Sequence, residues 1–263
     1  MCSAATRPVV LITGAARRIG RAIALDLAAR GCDVAIHYRQ SREAAETAVT
    51  EIRRLGARAV AIAGDLSNHQ DVERLVPECC RLLGAPTVLV NNASEFQPDS
   101  VGTATLDTWT AHLDINLRAP VFLAQDLVRH LPEGAHANII NIIDQRVWKL
   151  TPEFFSYTLS KAGLWTATRT LAQALAPRVR VNAIGPGPVL KSVHQTDADF
   201  AAEAASTLLQ RGPTTAEIAA AVRFILDAPA MTGQMIALDG GQHLTWAESE
   251  HNPTSAAHAP DAT

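Results

Sequence analysis

Tyr157 and Lys161 stand four residues apart, a spacing that brings both side chains to one face of a helix. A phenol with a pKa near ~10 moves protons poorly at neutral pH. A neighbouring ammonium favours the phenolate and brings the group toward working range. The pair therefore suits acid–base chemistry in which Lys161 tunes Tyr157, although a solvated helix face would show the same spacing. Upstream, Thr13-Gly14-Ala15-Ala16-Arg17-Arg18-Ile19-Gly20 follows an apolar run and opens a helical pattern. Such a turn brings backbone N–H groups and a helix N-terminus to a pyrophosphate; it would equally make a tight strand-to-helix connection. A third cluster, His37-Tyr38-Arg39-Gln40-Ser41-Arg42, has no carboxylate to grip a ribose 2′-OH. Arg39, Ser41 and Arg42 would instead receive a 2′-phosphate, which favours NADPH as cofactor. Ser41 also suits the N-cap of the next helix.

These groups need a scaffold, and the hydrophobic pattern supplies one. Apolar runs at 8–12, 33–38, 57–63, 87–91, 137–143, 179–183 and 234–238 read as buried strands. Segments 19–30, 42–55, 70–83, 106–130, 154–176 and 214–226 have helical spacing, with Gly31, Gly56 and Gly84 as stops. Strict alternation predicts one doubly wound α/β domain of Rossmann type, a seven-stranded parallel sheet with helices on both faces. Residues 190–210 read as a mobile loop with a short helix. The expected domain covers 7–246, after a flexible stretch at 1–6 and before a disordered tail at 247–263.

The 263-residue chain carries 23 Lys+Arg against 26 Asp+Glu, a net charge of −3. That leaves no basic field for nucleic acid or anionic lipid, and no apolar run approaches the ~20 residues of a membrane span. The first residues lack the build of a secretory signal. Cys2, Cys32, Cys79 and Cys80 form neither a C-x-x-C pair nor a zinc-ligand spacing, as expected of thiols in a reducing cytoplasm. No metal site is expected, and the histidines make no ligand motif. Trp148 and Trp246 are candidates for the pocket wall or for interface packing.

Taken together, the glycine turn, Asn116 in Asp114-Ile115-Asn116-Leu117, Tyr157 with Lys161, and the Gly185-Pro186-Gly187 turn resemble the short-chain dehydrogenase/reductase family in order and spacing from residue 7 to 243. The resemblance implies a Rossmann fold and a nicotinamide cofactor contacted by Gly14, Arg17, Arg18, Ile19, Gly20, His37, Tyr38, Arg39, Ser41, Asp65, Leu66, Asn92, Ala93, Tyr157, Lys161, Pro186, Gly187 and Val189. It also implies Lys161 on the ribose, Asn116 supporting a water relay, and a homo-oligomer, tetramer or dimer, built from the long helices.

Two departures narrow the resemblance. Arg18 replaces the middle glycine of the family's turn, and Asp144 stands thirteen residues before Tyr157, where the family usually has a serine that helps hold a substrate carbonyl. An anion cannot donate a hydrogen bond to a carbonyl oxygen and repels the charge that develops on it. Both substitutions are found in the family's pteridine reductase branch, where Asp and Tyr relay a proton to a pterin nitrogen. By that resemblance Asp144, Tyr157, Lys161 and Asn116 are the expected catalytic residues. Arg18, Ser94, Phe96, Asp144 and Tyr157 are the expected substrate contacts, with Phe96 stacking on the flat ring of a dihydropterin. The competing expectations are a carbonyl or 3-oxoacyl reductase, with Asp144 a loop cap and Ser156 or another hydroxyl in its place, or a non-catalytic NADPH-binding regulator.

Overall fold

In the computed structural model, which describes residues 7–245, the apolar segments pair into one sheet. Strands β1 (Val9–Ile12), β2 (Asp33–Tyr38), β3 (Ala59–Ala63), β4 (Val88–Asn91), β5 (Ala137–Ile142), β6 (Val179–Pro186) and β7 (Met235–Leu238) form one sheet in the order β3-β2-β1-β4-β5-β6-β7. Every pairing is parallel, with Val9 opposite Asp33 and Val10 opposite Val88 on the two sides of β1. Strands covered on both faces must be apolar along their whole length, and all four residues of β1 are buried.

Helices α1 (Arg18–Ala29), α2 (Arg42–Arg54) and α8 (Thr215–Asp227) cover one face through Ile23, Leu27, Val49, Ile52, Val222 and Ile225. The other face is covered by α3 (His69–Leu82), α5 (Ala119–His130) and α6 (Phe155–Leu175), with Leu75, Val76, Leu123, Leu127 and Ala172 in the interface. Strand order reverses between β1 and β4, so the loops leaving their carboxyl ends run to opposite faces and leave a crevice. The glycine turn and Asn92 flank it.

The predicted elements are all present, and their ends differ for physical reasons. The predicted helix 106–130 is broken into α4 (Leu106–Leu113), a π-helical turn at Asp114–Arg118, and α5. Pro120 has no N–H to give the carbonyl of Asn116, four residues back, so the ladder loosens there. Strand β6 runs three residues past the expected 183, because Ile184 and Pro186 pair with Ile236 and Leu238. Gly31, Gly56 and Gly84 follow their helices at positive φ, as helix stops do. Within 190–210 the helix is α7 (Asp197–Ala205), started by a capping box between Thr196 and Asp199. Ser41 holds the N-cap position of α2 but its side chain makes no capping bond, which corrects that expectation. No helix of the described residues is long and apolar enough to cross a membrane. The expectations for 1–6, for Trp246 and for 247–263 lie outside the described residues.

Candidate active site

A cavity of about 680 Å³ opens along the crevice. All the expected cofactor, substrate and catalytic residues line it except Tyr38, Ser41, Arg42 and Asn116. Tyr38 packs against the core and does not line the cavity.

The floor is built by the ends of β1 and β4. Gly14 has φ +63, and a Cβ there would stand 2.9 Å from the Ala93 Cα, so only glycine brings the two loops this close. Asn92 Nδ2 donates to the carbonyls of Thr13 and Gly14 at 2.9 and 3.1 Å. It passes where a Gly20 side chain would be, 2.5 Å from the hypothetical Cβ. His37, 2 % exposed, accepts from the Gly14 N–H at Nδ1 (3.1 Å) and meets the Gly64 carbonyl at Nε2 (3.0 Å). Burial lowers its pKa to about 4, so it is a neutral Nε2–H tautomer that braces the turn. The N-terminus of α1 has neither a side-chain cap nor an acidic residue in its first turn, so its N–H groups are open to an anion. Arg39 faces the same end of the cavity, 3.9 Å from Glu95. An ion pair so long and half exposed is worth little and would yield to a phosphate. In the cavity wall the buried Gln145 Oε1 has no hydrogen-bond partner. These features fit a dinucleotide with a 2′-phosphate.

At the other end Tyr157 O–H donates to Asp144 Oδ2 at 2.9 Å. Asp144 Oδ1 also accepts from the Arg146 N–H at 2.8 Å, so the residue caps the turn at Gln145–Val147 while it engages the tyrosine. Burial raises the Asp144 pKa, against the pull of the Arg146 amide and charge. Burial and then the adjacent carboxylate push Tyr157 well above its ordinary range. The opposing pull toward the phenolate comes from Arg146 and Ser94. Lys161 Nζ donates to the Ile142 carbonyl at 2.9 Å and lies 5.7 Å from the Tyr157 ring centroid, while burial brings its own pKa down to about 8. The phenol stays protonated.

The expected substrate residues divide. Phe96 stacks on Phe154 at 4.4 Å between centroids and 11° between planes, so Phe154 covers one of its faces, and it meets Tyr157 edge-on at 4.7 Å. Arg18 has φ +54, the conformation that suits glycine there, and it does not turn to the α1 N-terminus. Its guanidinium donates to the carbonyls of Leu190 and Lys191 at 3.0 and 2.9 Å. With His194 Nε2 donating to the Phe96 carbonyl at 3.1 Å, it ties residues 190–194 over the cavity. Asn116 is fully buried, and its carboxamide binds the Glu95 N–H and carbonyl (2.8 and 2.9 Å) and Ser160 Oγ (3.0 Å). Ser156, the alternative to Asp144, turns away to Asp99 and His112. Trp148 packs on Trp165 and His243 and does not line the cavity.

Sequence reasoning missed Glu95, Gln145, Arg146 and Phe154 in the wall. Phe154 carried a usable signal, an aromatic residue three before Tyr157 in a chain with 5% aromatics. Arg146, whose guanidinium lies 4.9 Å from the Phe154 ring centroid, carried none.

A family model described as enoyl-(acyl carrier protein) reductase matches residues 14–243. A 3-oxoacyl-[acyl-carrier-protein] reductase of Synechocystis is 34% identical over 91% of this chain and 98% of its own length. Dihydromonapterin reductase of Escherichia coli is 31% identical over 89% of this chain and 96% of its own. Among solved structures, FolM alternative dihydrofolate reductase 1 from Brucella suis in complex with NADP is 49% identical. The match covers 94% of this chain and 99% of that one, with a TM-score of 0.90.

Proposed function

The chain belongs to the short-chain dehydrogenase/reductase family, and from that premise we propose that it is an NADPH-dependent reductase of dihydropterins, giving the tetrahydro form. The observation that carries the reading is the 2.9 Å bond from Tyr157 to Asp144. Reducing a C=N bond adds hydride to carbon and a proton to nitrogen. When bound, the cofactor supplies the hydride. What the chain must supply is a proton held beside the ring nitrogen and an acceptor for ring N–H groups.

Asp144 and Tyr157 do this together. The carboxylate keeps the phenol protonated, and the phenol's proton lies between the two oxygens, where a basic ring nitrogen can take it. Phe96 packs edge-on to the phenol ring and is itself backed by Phe154, so that side of Tyr157 is apolar. A ketone fares worse, because the carboxylate already holds the hydrogen bond that the developing alkoxide needs and repels its charge. Lys161, as the ammonium below pH about 8, would hold ribose hydroxyls and offset the Asp144 charge. Asn116 fixes Glu95 and so the loop that presents Ser94 and Phe96. The name of the dihydromonapterin reductase relative and the 49% identity to the alternative dihydrofolate reductase support this reading.

The 3-oxoacyl reductase relative at 34% identity favours a second reading, a short-chain carbonyl reductase. Substituting Asp144→Ser separates the two. A pterin enzyme loses dihydropterin turnover by about a hundredfold or more and gains activity on a 3-oxoacyl thioester, the size of effect given by one misplaced polar group at the reacting centre. An Asp144→Ser variant with undiminished dihydropterin turnover would refute the role given to Asp144. The exposed Leu106, Trp109 and Leu159 on α4 and α6 favour a homo-oligomer joined through those helices.

A further inference from the structure

Residues 92–100 form no helix or strand, yet they carry Ser94 and Phe96. Beyond the Asn116 clamp, they are held by a buried polar chain that the chemistry above does not use. His112 on α4 is fully buried, as is Ser156, the first-turn neighbour of Tyr157, and Asp99 is 8% exposed. The Ser156 hydroxyl donates to Asp99 Oδ2, and the Ser156 N–H to Asp99 Oδ1 at 3.1 Å. Its proton so committed, Ser156 Oγ accepts from His112 Nδ1 at 2.7 Å. That leaves Nε2 as the lone-pair nitrogen, and it accepts from the Gln97 N–H at 3.0 Å. One neutral tautomer thus satisfies every bond in the chain.

We infer that His112, with Ser156 and Asp99, is a positioning device that sets residues 94–97, and with them Phe96, against Tyr157. The His112 ring packs edge-on to the Tyr157 ring at 5.9 Å on one side, and Phe96 does so at 4.7 Å on another. The same histidine therefore touches the tyrosine and ties down the loop bearing its aromatic neighbour. An apolar side chain of similar volume would fill the space without that register, and buried polar networks are retained where they select one arrangement. The inference rests on the substrate side of the cavity lying at Phe96, as the pterin reading has it.

Two substitutions separate the halves of the imidazole. Gln places an oxygen near Nε2 and keeps the acceptor for Gln97; Asn places an amide near Nδ1 and keeps the donor to Ser156. With full-length protein, NADPH and 7,8-dihydrobiopterin as the probe substrate, His112→Asn is expected to raise KM about tenfold, the loss of one hydrogen bond of about 1.4 kcal/mol. His112→Gln is expected to stay within about twofold to threefold of wild type, on the ground that the bond to the loop is retained. The NADPH Kd should be unchanged in both. Independently of any substrate, amide exchange of the peptide containing Gln97 should accelerate in His112→Asn and not in His112→Gln. Equal exchange and equal KM in the two variants, or an NADPH Kd that shifts with KM, would overturn the inference and leave His112 a core residue. Wild-type protein that leaves dihydrobiopterin untouched would defeat the pterin reading instead, and the exchange comparison would still decide the role of His112.

Discussion

Asp144 and Tyr157 set one another's protonation, which the residue types alone misrepresent. A Tyr four before a Lys suggests a phenol drawn toward its anion, but burial and the carboxylate 2.9 Å away act in the opposite direction and are stronger. The sequence showed which residues meet; it did not show the sign of their coupling, which depends on burial and on where Lys161 Nζ points. His37 offers a test at this scale. Its pKa is about 4 in the folded protein and near ~6.5 unfolded, so between those values the unfolded chain binds more protons. Stability from this group is complete above pH ~6.5 and is lost as pH falls toward 4, up to about 3 kcal/mol. In urea unfolding at pH 7 and pH 4.5, wild type should lose about 2 kcal/mol more than His37→Asn, which keeps an acceptor for Gly14 but does not titrate. Equal losses would show that His37 is not held neutral.

The elements were readable wherever hydrophobic period alone defined them, as in β1, β2, α2 and α8. They were not readable where one residue redirects the chain. Pro120 opens the π-helical turn at Asn116 by withholding one N–H, and the substitution of Arg for glycine at 18 anchors a loop more than 170 residues away in sequence. A sequence motif names the departing residue but not the partner. Holding Arg18 at φ +54 costs about 1 kcal/mol, offset by its two bonds to Leu190 and Lys191. Arg18→Gly is therefore expected to leave global stability within about 1 kcal/mol of wild type. It should also speed proteolytic cleavage within 188–196 several-fold. A cleavage rate equal to wild type would show that the anchor does not hold the loop.

At the scale of the whole molecule, the reversal of strand order between β1 and β4 brings together turns from all along the chain: Gly14, Asn92, Asp144 and Gly187 each follow the end of a strand. That convergence was legible because parallel strands put all their carboxyl ends on one edge. Closure by residues 190–194, and the covering of one Phe96 face by Phe154, were not, since both depend on packing between distant loops. Light scattering of the purified protein should give the mass of a dimer or tetramer, and Trp109→Glu should reduce it; a monomeric wild type would contradict the reading of α4 and α6 as an interface.

The central claim is that the carboxylate at 144 suits this cavity to a nitrogen heterocycle. The most direct measurement is kcat/KM of the wild-type protein with NADPH for 7,8-dihydrobiopterin and, side by side, for a 3-oxoacyl thioester. The structure predicts a preference for the dihydropterin of about a hundredfold or more. Efficient reduction of the thioester with no turnover of the dihydropterin would contradict it.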